Sequence, residues 1–316
     1  MFSKPVICIF ILGWTCIVQA RPLAFITNQG SDSVSVIDTE TNHVIETIGV
    51  GHRPAGVVVS HNGERVYVSN PESRDISVID TASMTTIQSI SVGGGPVAID
   101  ISPDDKHVFV ADWYEDSVFV IDTGTLKIVK QIKVGDSPSG LTVDPDGEFL
   151  YVANRDDNTV MIINLADFRV INTIAVGKAP FGMALNSQLQ QLYTANVQSG
   201  DVTVINLKTN KVTGHVPVGL FPYAIEVDYE QQRLFVTNQR SNSVSVINLE
   251  QMQTVATIDV GEYPEGLDLH PHKPHLYVAN WFDNLVYVID INTLQVIDEI
   301  ETGDGCRAYG EFITSM

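Results

Sequence analysis

A single 42-residue period runs through this chain seven times without insertion or deletion, and no other feature limits its fold as tightly. The last residue of a Tyr-Val-x-Asn-like stretch falls at Asn28, Asn70, Asp112, Asn154, Asn196, Asn238 and Asn280. A glycine keeps the same step at Gly51, Gly93, Gly135, Gly177, Gly219, Gly261 and Gly303. A proline does so at Pro54, Pro96, Pro138, Pro180, Pro222 and Pro264, with Cys306 in its seventh slot. A fixed period of this size marks a repeat architecture, in which each unit buries its apolar faces against its neighbours.

Each unit reads as four short strands. Residues 97–101 are β-rich, and Ser102-Pro103-Asp104-Asp105 is turn chemistry. Residues 107–111 form a second apolar run, 117–122 a third and 128–134 a fourth, separated by short polar loops. Four strands joined this way make one antiparallel sheet. Seven in series predict an all-β fold, a seven-bladed β-propeller of four-stranded antiparallel blades over residues 21–316. Val36-Ile37 and Val246-Ile247 lie in runs apolar on both sides, as sheets covered on both faces require. The chain enters on a second-strand pattern at Leu23 and leaves on a first-strand pattern over 308–313. The C-terminal strand is therefore predicted to complete the blade that the N-terminus begins, closing the ring and removing its open edges.

Several motifs recur together. Phe25-Ile26-Thr27-Asn28, Tyr151-Val152-Ala153-Asn154, Phe235-Val236-Thr237-Asn238 and Tyr277-Val278-Ala279-Asn280 are followed by Val-Ile-Asp or Val-Ile-Asn, as at Val36-Ile37-Asp38 and Val246-Ile247-Asn248. Pro-x-Gly follows in turn, as at Pro54-Ala55-Gly56 and Pro138-Ser139-Gly140. This combination resembles the YVTN-repeat β-propellers over residues 23–313. The family's Ser-Pro-Asp-Gly turn is approached at Asp144-Pro145-Asp146-Gly147 and lost at Asn186-Ser187-Gln188-Leu189 and Asp228-Tyr229-Glu230-Gln231. The resemblance implies a secreted or periplasmic propeller of the YncE-like kind. It does not imply an activity, because such propellers include quinoprotein dehydrogenase subunits, lactone-cleaving enzymes and surface-layer proteins.

The first 20 residues stand outside the period. Lys4, an apolar run over 6–18 and Val18-Gln19-Ala20 read as a secretory signal peptide cleaved near Ala20, with no second apolar run long enough to span a bilayer. Cleavage would remove Cys8 and Cys16 and leave Cys306 alone, so the mature fold has no internal disulfide to rely on. The formal charge is −20. Such a surface repels phosphate backbones and disfavours nucleic acid as a partner. No Asn-x-Ser/Thr sequon occurs, which leans toward a bacterial envelope protein.

Enzyme signatures are absent: no Cys-x-x-Cys-His, no His-Glu-x-x-His and no Gly-x-Ser-x-Gly. No motif indicates a cofactor, and no catalytic residue is assigned. Chemistry must then sit where the repeats differ. At the end where fourth strands cross to the next blade, the variable positions include Arg74, Arg155 and Arg240, and the candidate binding residues His52, Arg53, Trp113, Tyr114, Phe181, Phe221, Tyr223, Tyr263, Trp281, Phe282 and Arg307. Aromatic rings with arginines are the ingredients of a recognition surface; the same rings would also serve as caps on the blade interfaces. The innermost strands carry Asp100, Glu226 and Asp268 in one layer, either a weak cation site or solvated acids in a channel. His270-Pro271-His272-Lys273-Pro274-His275 is either a metal-binding run or a solvated turn. The expectation is a non-catalytic propeller that holds a protein, peptide or small ligand on its rim. The alternative is a catalytic or cofactor-associated propeller, such as a quinoprotein dehydrogenase subunit or a lactone-cleaving enzyme.

Overall fold

The computed structural model describes residues 21–315, so the expected signal peptide, with Cys8 and Cys16, lies outside the described residues. Within them the period becomes seven antiparallel blades. Blade 3 is representative, with Pro96–Ile101 innermost, then His107–Asp112, Ser117–Asp122 and Lys127–Lys133 at the outer edge. These bounds differ from the sequence expectation by a single residue at four strand ends. Alternating β-branched residues fill the two middle strands of each blade and are buried on both faces, because another blade covers each face. The outer strand buries one residue per blade: Ile48, Ile90, Ile132, Ile174, Val216, Ile258 and Ile300. Each contributes about 1.5–3 kcal/mol of burial.

The asparagine and the glycine share a period because they touch. Gly219 lies in the crossing from blade 5 to blade 6, and its amide donates to Asn238 Oδ1 at 3.0 Å. A Cβ on Gly219 would stand 2.6 Å from Asn238 Cγ. Asn238 Nδ2 donates onward to Ser245 Oγ at 2.9 Å. Gly135 and Asn154 repeat the amide bond at 3.0 Å. The side chain thus supplies the hydrogen bond that a buried crossover amide needs.

Ring closure is confirmed, but its geometry departs from expectation. Cys306 pairs with Asn28, as Pro96 pairs with Asp112 in blade 3. Further on, Ile313 pairs with Ala24, whereas in blade 3 the equivalent of Ala24, Val108, pairs with Ile101. The equivalent of Ile101 is Glu311. The expected regular strand over 308–313 is therefore replaced by a segment carrying two extra residues. A carboxylate cannot take an apolar seat, and Ile313 takes it instead. Gly310, at φ 125°, makes the detour possible, and a Cβ there would lie 2.2 Å from Val57 O. The detour also reaches the next blade: Val57 N donates to Tyr309 O at 2.9 Å and Val59 N to Glu311 O at 3.0 Å. Asp268 Oδ2 accepts from Phe312 N at 2.7 Å and Ile313 N at 2.8 Å. The C-terminal segment is stitched to blades 1, 2 and 7 together.

Candidate functional site

The residue after each recurrent proline, or after Cys306 in its seventh slot, forms one layer around the axis: Ala55, Val97, Ser139, Phe181, Tyr223, Glu265 and Arg307. It is small on three consecutive blades and large on the next four. Phe181 stacks on Tyr223 with ring centroids 4.1 Å apart, and Tyr309 meets both edge-on at 5.2 and 5.7 Å. These three rings plug the axis. Beside them Glu265, 1% exposed, accepts from Arg307 Nε and from Gln239 Nε2 at 3.0 Å. Arg307 Nη2 donates to Tyr223 Oη at 2.9 Å. Burial pushes the Glu265 carboxyl up, and Arg307 pulls it back. Against the same burial, Glu265 and Tyr223 raise Arg307 above its ordinary value. This is a largely desolvated ion pair, with the Arg307 side chain still 16% exposed.

Above the plug opens a mouth of about 490 Å³. Of the eleven rim residues expected from sequence, nine line it: Arg53, Trp113, Tyr114, Phe181, Phe221, Tyr223, Tyr263, Trp281 and Arg307. His52 and Phe282 do not. The His52 ring turns to Asp32 Oδ2 at 2.8 Å, and that bond raises its pKa. Phe282, 58% exposed, stacks on Trp281 with centroids 4.8 Å apart. Phe181 and Tyr223 sit deeper than a rim position, at 5% and 6% exposure. Arg155, a variable basic position at this end, also lines the mouth, together with Glu265 and Gln239, which sequence reasoning did not place there. The period itself marks Glu265, as the Pro-x-Gly residue of blade 7.

Glycines make room for the rings. A Cβ on Gly95 would strike the Tyr114 ring at 2.7 Å, and one on Gly305 would meet Trp281 Nε1 at 2.9 Å. Asp112 replaces the recurrent asparagine in blade 3 and organises its loop, accepting from Gly95 N at 2.9 Å, Tyr114 N at 3.1 Å and Glu115 N at 3.0 Å. Three guanidinium groups lie over rings around the mouth. Arg155 is 5.5 Å from the Trp113 centroid, Arg240 is 3.9 Å from Phe221 and Arg307 is 5.5 Å from Trp281. Arg53, Phe221 and Tyr263 hold left-handed backbone, at φ 59°, 56° and 61°. The same slot in blade 7's crossing is Gly305, for which that conformation is unstrained.

Below the plug the channel narrows to a well of about 160 Å³ containing Asp100, Glu226 and Glu311. Asp100 Oδ2 accepts from Val143 N at 2.8 Å, and Asp268 holds the two C-terminal amides described above. Two of the three carboxylates considered for a cation thus serve backbone amides. Among the described residues, no group of three His, Cys, Asp or Glu side chains is arranged to hold a metal ion. Burial, then repulsion from Glu311, raises Asp100 to about 7 and Asp268 well above its ordinary value. Burial and repulsion from Asp268 raise Glu226. Glu311 is exposed where it lines the well, and desolvation by the groups packed around it raises it too.

The histidine run is a turn. His270 Nδ1 accepts from His272 N at 3.0 Å and Lys273 N at 2.9 Å, as the Asp228 carboxylate does from Glu230 N and Gln231 N; Asp144 at the same slot accepts from Glu148 N and Phe149 N instead. Burial lowers His270 to about 4, so the ring is neutral. Cys306 is fully buried, donates to Asn280 O at 3.1 Å, and burial pushes its thiol up to about 12. It is an inert packing residue.

The ring and its plugged axis define a seven-bladed β-propeller with one aromatic mouth. Residues 64–147 match the family model described as YNCE-like beta-propeller, and residues 119–218 the model described as lactonase, 7-bladed beta-propeller. Together they support a YncE-like β-propeller family for this chain. No curated protein gives a significant match. Among solved structures, Kuenenia stuttgartiensis hydrazine synthase is 24% identical, with TM-score 0.77 over 89% of this chain and 99% of that one. A functionally unknown protein from Desulfotomaculum acetoxidans DSM 771 is 14% identical, with TM-score 0.78 over 91% and 99%. Dihydro-heme d1 dehydrogenase NirN in complex with DHE is 13% identical, with TM-score 0.69 over 88% and 72%. At these identities the likeness is one of fold. Among the described residues no helix is long and apolar enough to cross a membrane.

Proposed function

We propose that this chain is a non-catalytic binding propeller, exported to the periplasm or beyond, whose mouth holds a ligand with a flat apolar body and an anionic group. The observation that carries this is the set of three arginine–aromatic stacks around one concave mouth. Stacked guanidinium planes and indole faces favour flat surfaces, and the guanidinium N–H groups favour carboxylate or phosphate. The mouth is lined by three arginines and two glutamates, Arg53 pairing with Glu72 and Arg307 with Glu265, so it is locally less acidic than a chain of net charge −20. A peptide side chain or terminus and a free small molecule both present that chemistry.

The test is native mass spectrometry of the protein purified from its own envelope extract. Wild-type protein is expected to carry a ligand or partner that the Trp113→Ala/Trp281→Ala variant has lost. Equal loading of both would place recognition elsewhere. The enzymatic alternative rests on the lactonase match over residues 119–218. It predicts lactone hydrolysis that Arg307→Met abolishes, whereas the binding reading predicts none.

A further inference from the structure

The fourth strands form the outer edge of the ring, and their charges are sorted by sign. On blades 3, 4 and 5 these strands are Lys127–Lys133, Arg169–Ala175 and Lys211–Pro217. Their formal charges are Lys127, Lys130, Lys133, Arg169 and Lys211, all positive. On blades 6, 7 and 1 the strands are Gln253–Asp259, Gln295–Glu301 and His43–Gly49. Theirs are Asp259, Asp298, Glu299, Glu301 and Glu46, all negative. Thr85–Ser91 of blade 2 carries none. Neither the mouth nor the channel uses any of these ten residues.

The same strands expose apolar side chains. Each carries a register irregularity in its middle, which leaves one residue unopposed by the third strand. That residue is Val129 in blade 3, 54% exposed, and Ile297 in blade 7, 48% exposed. Blade 5 places Thr213 in the slot, so the fold does not require an apolar residue there. Lysines on edge strands ordinarily keep copies apart because every edge carries the same sign. Here the edges of blades 3 and 7 carry opposite signs.

We propose that copies of this chain associate edge to edge, the Lys127–Lys133 edge of one against the Gln295–Glu301 edge of the next. Val129 and Ile297 form the apolar centre, and Lys127 and Lys130 face Asp298, Glu299 and Glu301. The two edges belong to different blades, so the contact is head-to-tail and each end copy keeps one free edge. A single blade edge buries less than the roughly 1,200 Å² at the low end of standard interfaces, so the association is weak and salt-sensitive.

Sedimentation velocity of residues 21–316 over a protein concentration series tests this. At low salt the mean sedimentation coefficient should rise with concentration, and the association constant should fall at least ~10-fold when salt is raised to ~0.5 M. Lys127→Glu/Lys130→Glu and Asp298→Lys/Glu299→Lys, each shown by thermal melting to be folded, should each stay monomeric alone. An equimolar mixture of the two should associate again, because the reversed edges match each other. Wild-type protein that stays monomeric throughout at low salt would overturn the proposal. So would association that survives both reversals, or a mixture that does not associate.

Discussion

Arg307 and Tyr223 are 84 residues apart, yet the guanidinium Nη2 donates to the phenol oxygen at 2.9 Å. The bond ties the closing segment to blade 6 through the floor of the mouth, and Glu265 of blade 7 completes it. Removing one partner of such a desolvated pair costs more than removing both, because a buried charge is left alone. Arg307→Met should destabilise the protein by about 3–5 kcal/mol in urea unfolding. Glu265→Gln/Arg307→Met should recover part of that loss. Equal destabilisation in single and double variants would show that the pair does not act as a unit.

The exposed and half-buried rings of the mouth should separate in their effects. Tyr114, 75% exposed, and Phe282 add little to the core. Their alanine variants should melt within a degree or two of wild type. Trp113 packs beside Phe181 with centroids 6.3 Å apart, so Trp113→Ala should lower the melting temperature measurably as well as weaken ligand capture. Thermal melts paired with capture yield measure both.

Tyr263 holds its ring over the mouth from left-handed backbone, a conformation costing a non-glycine residue of order 1 kcal/mol. Tyr263→Gly relieves that strain, while Tyr263→Ala keeps it. The glycine variant should therefore be the more stable of the two by about 1 kcal/mol in chemical denaturation, and both should lose affinity at the mouth.

The acid well makes stability depend on pH. Asp100, Glu226, Asp268 and Glu311 all have raised pKa values in the folded ring, Asp100 at about 7. The native state thus binds more protons than the unfolded chain between the ordinary carboxylate range and about 7. The stability contributed is full below that range and is lost as pH rises through the folded values. The melting temperature should fall between pH 5 and pH 8, an interval chosen to bracket Asp100's value of about 7. Glu226→Gln/Glu311→Gln should flatten the profile; an unchanged slope in that variant would remove the well as its cause.

Closure should be costly to undo. Deleting residues 307–316 strips the partners of Phe25, Val57 and Val59 amides and leaves Asp268 without its two donors. A loss of several kcal/mol follows, to be read from denaturant midpoints. Asp268→Ala removes only the carboxylate and should cost about 1–3 kcal/mol.

The ring and most of its mouth were legible because the period is strict: a residue's place around the axis follows from its number. Trp113 and Trp281 could be set on separate blades of one mouth on that basis alone. Glu265 was equally legible in the Pro-x-Gly layer, but reads as an isolated acid unless Arg307 is aligned with it. The two-residue detour at Gly310 was not legible. It depends on a competition between Glu311 and Ile313 for one apolar seat, which no period encodes. The His270 turn shows the converse: the turn sequence changes from Asp228 to His270, while an acceptor atom stays in place.

The two ends of the described chain come together, Leu23 N donating to Thr314 Oγ1 at 2.8 Å. They meet on the face formed by the first-to-second strand turns, at the back of the disc relative to the aromatic mouth. Anything joined to either end therefore departs from one point behind the ring. A tether there would hold the molecule as a stalk holds a dish, leaving the open side clear for whatever approaches it.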